Sequence, residues 1–145
     1  MIEFALTLFA AVLAWHVKRD GLTSLLLPAW GASMVAALLL RDEWLPGAYA
    51  MIDGAVAVAA LSLWTKHKSQ RARFVGLISI ILICCHFGYS ASGGVGNWTL
   101  YASLLNAGFV AQCFTAGGGW NGLANLYDRF RGRDRRLHLY RDRGR

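Results

Sequence analysis

Charged residues are scarce in this chain of 145: they make up 16% of it, where a soluble domain carries roughly 25%. That shortage excludes an ordinary water-soluble globule. Proline occurs 2 times and cysteine 3 times, which excludes a proline-rich linker and an even-numbered disulfide scaffold. Cys84, Cys85 and Cys113 form no CxxC spacing, and each lies inside an apolar stretch, as small buried hydrophobes would. No internal repeat, phosphate loop or other catalytic motif is present. ASGGVG at 91–96 lacks the Lys-Ser/Thr ending of a phosphate loop and reads as a tight glycine turn. The sequence therefore carries no signature of an enzyme and no cofactor motif.

What is abundant is apolar surface. Hydrophobic residues reach 56%, and the mean hydropathy is +0.39. They gather into five runs: 2–17, 21–40, 48–64, 74–92 and 97–117. At about 1.5 Å per residue, helices of these lengths cross or nearly cross a hydrocarbon core of about 30 Å, the first only barely. The runs show none of the alternation that a membrane β-barrel needs. The expected fold is all-α: a polytopic bundle of five transmembrane spans over residues 1–118, followed by a basic tail over 119–145. Pro28 should kink the second helix near Ser24, with Thr23 and Ser24 available to the freed carbonyl. Trp30 should fill the space beside the kink.

The charges fix a direction. Lys18 and Arg19 follow the first run, Lys66, Lys68, Arg71 and Arg73 follow the third, and eight Arg lie in the tail, whereas the opposite set of loops holds only Arg41. By the positive-inside rule, fourteen positive residues against one place the N-terminus outside and the C-terminus in the cytoplasm, as an odd number of spans requires. No Lys or Arg precedes the first run, so it reads as an uncleaved segment. Trp15, Trp64 and Trp120 then mark cytoplasmic ends of spans, and Trp44 and Trp98 outer ends.

Few residues inside the runs could carry chemistry. An acidic side chain at a helix centre costs about 2.5–3.5 kcal/mol on insertion scales, so Asp53 needs a partner or water. His86 lies at a matching depth from the outer end of the fourth run, and antiparallel neighbours should bring the two together. They form either a polar clamp between helices or part of a proton or ion path, with Glu3 at a comparable outer depth. Asn106 and Gln112 on the fifth run suit a helix interface beside Ala102 and Gly108, or the aqueous lumen of an oligomer. Consecutive side chains on a helix diverge by about 100°, so Cys84, Cys85 and His86 cannot together hold a metal.

In the tail, Leu123, Leu126, Tyr127 and Phe130 form one apolar stripe, as in a helix lying on a membrane surface. Arg129, Arg131, Arg133, Arg135, Arg136, Arg141, Arg143 and Arg145 suit anionic lipid head groups or a cytoplasmic partner, with nucleic acid a weaker reading.

Short length, nearly loopless apolar runs, the start Met1-Ile2-Glu3 and the Arg-rich end Arg129 to Arg145 resemble the small polytopic membrane proteins of tailed bacteriophages and prophages, holins among them. The resemblance implies oligomerisation in the bacterial cytoplasmic membrane and a holin-like pore. The alternatives are an accessory protein that docks a membrane or cytoplasmic partner through its tail, and a proton or ion carrier using Asp53 and His86.

Overall fold

The computed structural model describes residues 2–93 and 98–119, with side chains from residue 5. The expectations for Glu3 as a side chain, for Trp120 and for the basic tail with its eight Arg lie outside the described residues. Among the described residues everything regular is helical: α1 (Ile2–Val17), α2 (Gly21–Leu39), α3 (Leu45–His67), α4 (Gln70–Ala91) and α5 (Trp98–Ala116).

Local chemistry sets the helix ends. Asp20 caps α2 reciprocally with Thr23: the Thr23 N–H donates to the Asp20 carboxylate at 3.1 Å, and the Asp20 N–H to the Thr23 hydroxyl at 3.2 Å. Thr23 is thus committed to the cap, its hydroxyl also donating to the Lys18 carbonyl, and does not serve the carbonyl left by Pro28. The helix nevertheless continues through Pro28. Helix α3 begins earlier than its apolar run because Pro46 is tolerated in a first turn, where its missing N–H has no intrahelical partner to lose. Its end is marked by Lys68 in the left-handed region. Ser69 then caps α4 by accepting from the Ala72 N–H. Only Lys68 and Ser69 separate the two helices, so Lys66, Arg71 and Arg73 lie on helix ends and not in a loop.

Helices α2, α3 and α4 are long and apolar enough to cross a membrane. Helix α1 is only 16 residues long, and the hydropathy of α5 is lowered by Trp98, Tyr101, Asn106 and Gln112 among others. Each helix packs on its neighbour in sequence, and α1 also packs on α5, closing a ring; the most extensive contact is α3 on α4. Two glycines permit close approach. A methyl group on Gly76 would fall 2.8 Å from Leu61 Cδ2, and one on Gly108 would fall 2.5 Å from Leu82 Cδ2.

The two ends of the ring differ in filling. The buried apolar cluster comprises Ala11, Ala14, Leu22, Leu26, Val56, Ala60, Ala72, Val75, Cys113 and Ala116. All of these lie toward the end bearing Lys18, Arg19, Arg71 and Arg73. Small residues dominate it, so the helices close tightly there. Toward the opposite end the interior is polar and aromatic, and it is not filled.

Candidate functional site

That opposite half contains a cavity of about 240 Å³ lined by residues from all five helices. Thr7 comes from α1, Trp30, Ser33 and Met34 from α2, Tyr49 and Asp53 from α3, Leu82 and His86 from α4, and Tyr101, Asn106 and Phe109 from α5. Its formation follows from the ring: no helix fills the centre, and the bulky aromatics stand where the other half has alanine.

His86 organises the site. Its Nε2 lies 2.9 Å from Asp53 Oδ2, the juxtaposition that the matched depths of α3 and α4 call for. Its Nδ1 lies 2.6 Å from the Tyr101 hydroxyl. The imidazole is 1% exposed and Tyr101 5%, while the Asp53 side chain retains 16%. A count of donors assigns the protons. Tyr101 O–H has no acceptor other than His86 among the described residues, so it donates to Nδ1, and Nε2–H donates to the Asp53 carboxylate. In this arrangement one imidazole joins the Asp53 carboxyl group on α3 to the Tyr101 hydroxyl on α5.

Aromatic rings brace this chain. Tyr101 stacks on Tyr89 with centroids 4.2 Å apart and an interplanar angle of 13°, and Trp98 lies 5.4 Å from Tyr101. On the other side Tyr49 lies 6.0 Å from His86. Trp30 does more than fill space beside Pro28: its indole N–H donates to the Thr7 hydroxyl at 3.0 Å, tying α2 to α1 at the cavity edge.

Of the two amides singled out on α5, Asn106 lines the cavity. Gln112 is buried at 1% exposure and donates to the Ser79 hydroxyl at 2.8 Å, which in turn donates to the Val75 carbonyl. It is therefore a bond within the α4–α5 interface of one chain, not part of a lumen shared between chains. The three cysteines separate as well: Cys113 is buried, Cys85 half-buried and Cys84 exposed, so the expectation of buried hydrophobes holds for Cys113 alone. Helical rotation explains this, since His86 takes the inward position two residues on.

Tyr101, Tyr49 and Thr7 were not legible as site residues. Tyr101 had a usable signal, because it lies near the outer end of its run at the depth of Asp53 and His86. At the other end of the ring, Arg71 donates to Asp20 Oδ2 at 2.8 Å and to the Ala116 carbonyl, joining the α1–α2 connection, α4 and the end of α5. Burial opposes ionisation of Asp20, but the Thr23 N–H and the Arg71 guanidinium outweigh it and hold the carboxyl below its usual range. Arg19 lies over Trp15 at 4.9 Å and Arg73 over Trp64 at 5.6 Å, at that same end.

Comparison with protein-family models, curated proteins and solved structures finds no match for this chain.

Proposed function

We propose that this is an integral membrane protein of five spans, N-terminus outside and C-terminus in the cytoplasm, that binds a small molecule in the outer half of its bundle without transforming it. The observation that carries this reading is the Asp53–His86–Tyr101 chain at the wall of a cavity to which every helix contributes. Concave sites with mostly apolar walls and a few convergent polar groups are the usual form of small-molecule sites. Ionisable residues at membrane depth are costly, and function is the commonest reason for them. The charge asymmetry supports the orientation, which puts the dry, small-residue half toward the cytoplasm and the cavity toward the exterior.

A holin-like pore, as the resemblance to phage membrane proteins suggests, needs polar faces that meet between copies. Among the described residues Asp53, His86, Tyr101, Ser79 and Gln112 instead meet inside one chain, while the outer surface presents Phe9, Leu38, Met51, Ile81, Phe87 and Leu100. A carrier needs a relay of ionisable groups through the bundle, and among the described residues the half opposite the cavity is packed with Ala14, Leu26, Ala60, Val75 and Ala116.

Thermal unfolding in detergent tests the reading. Small ring compounds of neutral, cationic and anionic charge are compared on the native protein and on Ala102→Phe, which fills the cavity. At least one compound should raise the melting temperature of the native protein and leave the filled variant unmoved. Equal responses from both proteins across the panel would overturn the proposal.

A further inference from the structure

We propose that the ligand of this cavity is a small organic cation, with Asp53 as its counter-charge and aromatic rings as the rest of its site. This rests on the reading of the cavity as a ligand site and adds the chemical class.

Three observations carry it. First, Asp53 is the one acidic side chain that lines the cavity among the described residues, and its side chain keeps 16% exposure there. His86 engages Oδ2, and the second carboxylate oxygen makes no hydrogen bond among the described residues. Secondly, among the described residues no Lys or Arg lines the cavity beside that carboxyl group. An acidic side chain in a low-dielectric interior is costly, and a bound cation beside it would offset that cost. Thirdly, Trp30, Tyr49, Trp98, Tyr101 and Phe109 supply the aromatic lining. Aromatic π-systems attract ammonium groups, most strongly when the cation is desolvated, and caged quaternary ammonium groups are the familiar outcome. An anion would meet the Asp53 carboxyl group and, among the described residues, no Lys or Arg.

Size agrees with an organic body. At about 240 Å³ the cavity exceeds the roughly 150 Å³ that accommodates a benzene molecule in an engineered protein core. Leu82, Met34 and Phe109 offer apolar contact for carbon atoms.

The test uses three probes of one shape and different charge: choline, its neutral isostere 3,3-dimethyl-1-butanol, and 3,3-dimethylbutanoate. Dissociation constants are measured by saturation-transfer NMR on the full chain in dodecylmaltoside micelles, with empty micelles subtracted. Choline should bind at least about tenfold more tightly than the alcohol, the size of effect expected of a desolvated cation–aromatic contact beside a carboxylate. Asp53→Asn should abolish that preference. If the alcohol or the carboxylate binds as well as choline, the cation inference fails while the ligand-site reading stands. Choline binding that Asp53→Asn does not alter would place the cation elsewhere and overturn the inference. Binding of none of the three overturns the inference, while the reading beneath it stands or falls on the ring-compound comparison with Ala102→Phe.

Discussion

Arg71, in the first turn of α4, holds Asp20 of the α1–α2 connection at 2.8 Å, and its other amino group donates to the Ala116 carbonyl at the end of α5. The residue counted from sequence as one of fourteen orienting charges is thus also a tie between three chain segments. Both partners are partly exposed, at 24% and 30%, so the bond is screened by solvent and its contribution is modest. Its pH dependence has a definite sign. The folded state holds Asp20 below its ordinary 3.8, so the stabilisation is complete above that value and is lost as the pH falls through the lower, folded value. The melting temperature of the native protein should exceed that of Asp20→Asn at pH 6, and the gap should close progressively below about pH 4. A gap that widens with acid would contradict this assignment.

Removing His86 should cost more than removing either of its partners. In His86→Leu the Asp53 carboxylate loses its donor inside the bundle and the Tyr101 hydroxyl loses its acceptor, a loss of about 3 kcal/mol or more. Tyr101→Phe deletes one neutral hydrogen bond and should cost about 1–2 kcal/mol. Asp53→Asn keeps a carbonyl acceptor for Nε2–H and should cost less than His86→Leu. Reversible unfolding in detergent ranks the three; a His86→Leu protein as stable as Tyr101→Phe would show that the imidazole is not the centre of the chain.

The α4–α5 contact depends on the missing side chain at Gly108. Any Cβ there would fall 2.5 Å from Leu82 Cδ2 and 3.1 Å from its Cγ, and Leu82 is itself 5% exposed. Gly108→Val should therefore destabilise the bundle by about 1–3 kcal/mol through overpacking. Adding Leu82→Ala should recover part of that loss, although Leu82→Ala alone is destabilising. Simple additivity of the two changes would argue against direct contact.

Topology is open to direct chemical measurement. With Cys84, Cys85 and Cys113 replaced by Ala, a single cysteine is introduced at Asp42 or at Lys68. A membrane-impermeant thiol reagent applied to intact cells should label the cysteine at 42 and spare the one at 68. Labelling of both from the same face would end the alternating arrangement of spans.

The five helices could be read from the chain because each follows an uninterrupted apolar run, although only α2, α3 and α4 are long and apolar enough to cross a membrane. The run 2–17 coincides with α1, and the others needed only capping chemistry to find their ends: Pro46 moved the start of α3 outward, and Ser69 drew Arg71 and Arg73 into α4. The Asp53–His86 contact was legible for a related reason. Helices joined by a short connection lie antiparallel, so equal distance from a shared end means equal depth.

Which face of each helix turns inward was not legible. In a water-soluble helix the polar stripe marks the outside, but along α4 the inward Val75, Ser79 and Leu82 and the outward Leu77, Ile80, Ile81 and Phe87 differ too little for periodicity to separate them. When apolar residues face both core and lipid, the contrast that encodes orientation is absent, and packing decides instead. The sequence by itself determined the helices, their order, the charge asymmetry and one polar pair. Only the tertiary structure, by closing α1 onto α5, brought Tyr101 to His86 and Trp30 to Thr7 and left a cavity in one half of the ring, because those contacts depend on helix rotation and long-range closure that no local pattern records.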